Sequence, residues 1–308
     1  MATRFTASLI AFVCMAATQM GVAFEAAAAQ AKTLRVISEQ TASGFAFPES
    51  VAYDPRAKVL YMSQFGGTEL KPAEKDGNGK ISKVSLTGKV LEERFLPAAG
   101  ETMNKPKGIW VERGRLWVTD IDGVWIYDTR TKAGRKLAIP GIQFANDAAV
   151  VGRTLFVSDN RSDQVFQVEP ADFIDPAVQP KVSVAVSKKE IYPNGLWPSR
   201  AGTLLMVGFQ AADKPRGIHA LAPNGEVTEL SAPIGRLDGL YELRDGTGLL
   251  ITDWNSGTLS RWSPATGMTP LAKDFKGPAD FCVLGTTVYV PDLVKGELRI
   301  VQLGRGPN

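Results

Sequence analysis

One short phrase returns six times along this chain: a small or apolar residue, a polar residue, a short strand, a turn, then a second strand. It reads F-P-E-S-V-A-Y from Phe47, K-P-K-G-I-W from Lys105, F-A-N-D-A-A-V from Phe144, Y-P-N-G-L-W from Tyr192, R-L-D-G-L-Y from Arg236 and G-P-A-D-F-C from Gly277. The polar members are Glu49, Lys107, Asn146, Asn194, Asp238 and Asp280, at steps of 58, 39, 48, 44 and 42 residues. Steps near 40 to 45 residues suit one four-stranded sheet per repeat. A sheet of that size cannot bury both faces alone, so the copies must stack around an axis and leave only short edges.

The strands are legible as alternating apolar runs bounded by Gly, Pro, Asp and Asn, for example Arg115 to Thr119 and Thr154 to Ser158. Further runs cover Thr203 to Val207, Gly248 to Thr252 and Thr287 to Val290, and no ten-residue helical period follows the first thirty residues. The expected fold is all-β, a six-bladed β-propeller of four-stranded blades. Its sixth copy ends at Val301 to Leu303, one strand short, while the strand-like run Thr33 to Ile37 stands ahead of the first copy. The N-terminal strand is therefore expected to close the last blade and remove an exposed edge.

Residues 1–31 read as a signal peptide, with Arg4, an apolar run from Phe5 to Phe24 and a small-residue cleavage site ending Ala29, Gln30, Ala31. A retained anchor or a lipid on Cys14 is the competing reading. Residues 32–308 then form a single propeller domain, periplasmic or secreted, and are expected to be monomeric with no membrane attachment after cleavage. Cleavage leaves Cys282 as the sole thiol, so packing rather than a disulfide must hold the fold. The net charge of +3 is a small excess among 35 basic and 32 acidic residues, without a basic run, which argues against nucleic acid as a partner.

Radial stacking brings equivalent strand starts to one centre. Three of the six converging residues are carboxylates (Glu49, Asp238, Asp280), two are amides (Asn146, Asn194) and one is a cation (Lys107). Converging carboxylates repel one another unless a cation lies among them. An all-oxygen set without His or Cys points to a divalent metal ion, calcium first, with zinc, magnesium or manganese as alternatives. A water-filled polar channel is the plainer explanation, and turn capping accounts for any single Asp or Asn.

At these residues the chain resembles the senescence marker protein and gluconolactonase family. Glu49, the pair Asn146-Asp147, the triplet Pro193-Asn194-Gly195 and the pair Asp238-Gly239 stand in the order and spacing of that family's metal site. The resemblance implies that Glu49, Asn194 and Asp238 bind metal, that Asn146 contacts metal or substrate, and that Asp238 doubles as general base. Where sugar-lactone hydrolases of the family carry arginine, this chain has Phe144, which turns substrate recognition away from polar sugars.

The expected function is a metal-dependent hydrolase of lactones or similar cyclic esters acting on a small-molecule substrate. In it Asp238 takes a proton from water and Lys107 steadies the developing oxyanion, unless Lys107 simply pairs with Glu49 or Asp280. Asn146, Phe144 and Trp197 are the expected substrate contacts. The alternative is a non-catalytic propeller that binds a protein or small ligand around a structural ion; for it Trp110, Phe144, Trp197 and Tyr241 are a binding surface or inter-blade core. His219, in a third-strand pattern, is expected to be structural. Asp120, Asp159, Asp253 and Asp292 close second strands and either cap the following turns or rim the mouth. The insertion Gly66 to Lys80 is a candidate flap or an idle surface loop.

Overall fold

The computed structural model describes residues 34–306, so the expected signal peptide lies outside the described residues. Those residues form 24 strands in six antiparallel four-stranded sheets, with no helix among them. Each sheet is a blade and takes one repeat, its innermost strand first: Pro48–Asp54, Pro106–Glu112, Ala145–Val151, Pro193–Pro198, Leu237–Glu242 and Cys282–Leu284. The closing strand is as expected. Leu34–Ser43 pairs antiparallel with Glu297–Arg305, and the last blade becomes four-stranded only through it.

Alternation along each strand places apolar side chains on both faces, and these faces meet those of the neighbouring blades. Tyr61 of blade 1 packs with Ile109 and Leu116 of blade 2, and Trp117 of blade 2 with Ala148 and Phe166 of blade 3. The circle closes where Val51 and Leu60 of blade 1 meet Tyr289 and Leu298 of blade 6. The hydrophobic effect thus acts between sheets, and no blade is stable without its neighbours.

In the first five blades the register between the two inner strands slips at the polar residue of the repeat. Pairing jumps from Pro48 to Ser50, from Pro106 to Ile109, from Ala145 to Ala148, from Pro193 to Leu196 and from Leu237 to Leu240. Such bulges re-aim a side chain and free a backbone amide. The freed amide finds a hydroxyl on the second strand: Ser63 Oγ accepts from Ser50 N at 2.9 Å, Ser158 Oγ from Asp147 N at 2.9 Å and Thr252 Oγ1 from Gly239 N at 2.8 Å. Two of those hydroxyls then donate to the next blade, Ser158 to Asn194 O at 2.6 Å and Thr252 to Ala279 O at 3.1 Å.

The aspartates that close second strands are buried caps and do not rim the mouth. Asp159, Asp253 and Asp292 accept amides of the following turn, as expected, through Ser162, Asn255 and Lys295. They also accept amides of the segment leading into the innermost strand, and Asp120 does only this, from Asn104 and Lys105. One carboxylate therefore ties the turn to the start of its own blade.

Candidate active site on the propeller axis

Five of the six repeat residues converge. Glu49, Lys107, Asn146, Asn194 and Asp238 form the floor of one cavity of about 430 Å³ at an end of the axis. All five are buried. The sixth, Asp280, is not in this ring. Pairing of Pro278 with Asp292 matches that of Pro106 with Asp120, which makes Ala279 the blade 6 equivalent of Lys107 and sets Asp280 one residue further. Asp280 and Asp147 lie beneath the ring and border a separate cavity of about 440 Å³ at the other mouth of the axis. Asp280 accepts from Ser50 Oγ at 2.6 Å, and Asp147 from the amides of Ala148 and Leu196, each at 2.7 Å.

Glycine lets the blades approach this closely. A Cβ on Gly195 would sit 2.1 Å from Asp238 O, and one on Gly108 2.2 Å from an Asp147 carboxylate oxygen. That is why Lys107 and Asn194 are each followed by glycine.

Burial dominates the electrostatics. It raises the Asp238 carboxyl to about 8, Asp280 adding repulsion, while hydrogen bonds from Trp254 and Asn194 partly offset the rise. Glu49 is raised well above the usual carboxylate range by burial and then by Asp238, with Lys107 opposing. Asp147 is raised similarly, by burial and by Asp280. Burial pulls the Lys107 ammonium down to about 8 against the attraction of Glu49. Trp254 Nε1 donates to Asp238 Oδ2 at 2.9 Å, whereas Glu49 Oε2 is buried with no hydrogen-bond partner among the described residues.

An orphaned carboxylate oxygen beside a second carboxylate and two amides fits a hard cation, with Glu49, Asp238, Asn146 and Asn194 as the donors. Among the described residues no three His, Cys, Asp or Glu side chains are grouped to hold a metal ion, so the amide oxygens would have to complete the set. Such a set favours calcium over zinc.

Three expectations need correction or refinement. Lys107 forms no ion pair with Glu49 or Asp280: its Nζ donates to Lys105 O at 3.1 Å and lies 4.0 Å from the Phe144 ring centroid. Trp197 does not contact this cavity. It stands three residues beyond Asn194, about 10 Å along the strand, and borders the opposite mouth, where its ring meets Trp110 and Tyr241. The insertion Gly66 to Lys80 is not idle, since its Leu70 and Pro72 line the cavity. It is strapped down by Asp76, whose carboxylate accepts from the buried Lys105 Nζ at 2.6 Å.

Phe144 lines the cavity as expected, but most of the wall went unread in the sequence: Phe65, Asn160, Arg161, Tyr192, Phe209, Trp254 and Leu293. A signal exists for five of them. Phe65, Asn160, Phe209, Trp254 and Leu293 each directly follow the last residue of a second strand, or its equivalent, in blades 1, 3, 4, 5 and 6. His219 sits buried in the third strand of blade 4, away from the cavity. Another cavity, of about 1040 Å³, opens along blades 1 to 3 and includes none of the ring residues.

No protein-family model matches the chain, and no curated protein matches it. Similarity appears among solved structures. A candidate gluconolactonase, a structural-genomics target, superposes with a TM-score of 0.63 at 16% identity, covering 89% of this chain and 98% of its own. A catalytically inactive virginiamycin B lyase from Staphylococcus aureus, solved with quinupristin, superposes at 0.55 and 14% identity, covering 86% and 99%. An auxiliary nutrient binding protein from Bacteroides ovatus reaches 0.61 at 10% identity, covering 85% and 70%. At such identities the likeness is one of fold alone, and the six blades are read from this chain's own sheets.

Proposed function

We propose that this chain is an exported, metal-dependent hydrolase of lactones or similar cyclic esters, periplasmic or secreted. The observation that carries the reading is the buried floor itself, where Glu49 keeps an unpartnered carboxylate oxygen in a cavity shared with Asp238, Asn146 and Asn194. The resemblance of these residues to the gluconolactonase pattern supports it, as does the fold.

Glu49, Asn194 and Asp238, with Asn146, would hold the ion, which when bound would polarise the ester carbonyl and acidify water. In this reading Asp238 takes the proton of the attacking water. Hydrogen bonds from Trp254 and Asn194 hold its carboxylate in position. As the C–O bond of the ring breaks, that proton passes to the departing alkoxide and a hydroxy acid results. Lys107 donates to the carbonyl oxygen while negative charge builds there. Phe65, Phe144, Tyr192, Phe209 and Trp254 wall the site, exclude water and favour an apolar body over a polyhydroxylated one.

The test is a broad lactone panel with calcium-loaded protein, with metal content measured beside it. Hydrolysis above background, abolished by chelator and reduced at least about 100-fold in Glu49→Gln, is expected. Full activity in Glu49→Gln sinks the proposal. An aromatic-walled cavity also suits a non-catalytic binding protein, and ligand capture without turnover on any lactone would favour that reading.

A further inference from the structure

The cavity has a positive edge as well as a negative floor. The Lys107 ammonium and the Arg161 guanidinium lie 4.0 and 4.1 Å from the centroid of the same Phe144 ring, so the two cations stand within about 8 Å of each other. Both border the cavity. Neither has a carboxylate within ion-pairing distance among the described residues. The two acids nearest in sequence are occupied by backbone amides, Asp159 by those of Gln143, Arg161 and Ser162 and Asp163 by those of Glu190 and Tyr192.

The other arginines stacked on aromatic residues of the wall differ on this point. Arg216 lies over Tyr192 and pairs with Glu190 at 2.9 Å; Arg236 lies over Phe209 and pairs with Asp213. Arg161 alone of the three presents a guanidinium with neither an ion pair nor a hydrogen bond among the described residues. Phe144 fixes it in place by cation–π contact, which leaves its five N–H donors free. The two neighbouring cations repel each other; Glu49 attracts Lys107 without pairing with it, and an anion placed between or beside the cations relieves the remaining cost. A guanidinium matches a carboxylate in bidentate geometry.

We propose that the ligand of this cavity carries a carboxylate that Arg161 holds, on an apolar or aromatic body packed against Phe144, Tyr192 and Phe209. The substrate class is then a cyclic ester bearing a free carboxylate. That assignment of substrate rests on the hydrolytic reading above; the preference for an anion does not.

Calorimetric titration of phenylacetate and of its neutral isostere phenylacetamide tests it, with wild-type, Arg161→Gln and Arg161→Lys proteins, all in chelator. Chelation removes any ion as a competing carboxylate ligand and separates this readout from turnover. Phenylacetate is expected to bind at least about tenfold more tightly than phenylacetamide, a preference lost in Arg161→Gln and partly kept in Arg161→Lys. Equal affinities, no binding of either compound, or a preference that survives Arg161→Gln overturns the proposal. A positive result here with no lactone hydrolysis would retain the anion site and reject the enzyme.

Discussion

His219, the single histidine of the sequence, lies buried in blade 4 opposite Glu229, and its Nδ1 has no hydrogen-bond partner. Burial lowers its pKa; Lys188 adds to the fall, while Glu229 and Asp163 oppose it. The unfolded chain therefore binds the proton first, and folding stability is lost as pH falls from about 6.5 towards the depressed folded value, by up to about 1.4 kcal/mol per pH unit. The axial carboxylates act with the opposite sign. Asp238, raised to about 8, is protonated more readily in the folded chain, so its contribution is lost as pH rises. Urea unfolding of wild type and His219→Gln at pH 7.5 and 5.5 isolates the histidine: the variant is expected to lose less stability on acidification, and equal losses would contradict the assignment.

At the level of the strand, the bulge is what turns a repeat phrase into a site. In each of the first five blades it points one polar side chain at the axis, and it requires a small residue next to it wherever the neighbouring blade comes closest. Gly195→Ala would place a Cβ 2.1 Å from Asp238 O and 3.1 Å from Leu240 Cδ2, at a glycine whose φ is not positive. Steric conflict, not lost backbone freedom, is then the cause. The expected cost is about 1–3 kcal/mol in urea unfolding, together with weaker binding of calcium at the proposed site, because blades 4 and 5 are pushed apart at the ring. Unchanged stability would mean that the inner strands slide freely. The phrase G-P-A-D misled the sequence reading at this same level. An aspartate one residue late resembles a ring member, and only strand pairing reveals that Ala279 holds the position.

For the whole molecule, closure depends on one strand. Leu34–Ser43 supplies the outer edge of blade 6, with Leu34 and Val36 packed on the core between blades 5 and 6 and Glu39 paired with Arg299. Removing residues 1–43 leaves Glu297–Arg305 as an unpaired edge. The truncated chain is expected to aggregate or associate on size-exclusion chromatography and to melt well below the intact domain. A stable, monomeric product with an unchanged melting temperature would show that the ring closes without it.

Repeat length, strand alternation and the Gly, Pro, Asp and Asn residues that bound the strands are local properties. They sufficed to determine the all-β class, six blades, the closing strand and five of the six residues around the axis. Trp197 and Asp280 could not be placed the same way, because a shift of one residue, or three residues of rise along a strand, moves a side chain from one mouth of the axis to the other. That Leu70 and Pro72 join the wall, and that Arg161 and Lys107 meet on Phe144, was decided by segments from different blades folding over a common centre. Such contacts have no fixed spacing in the chain, since it is the closure of the ring, and not any local pattern, that sets the distance between them.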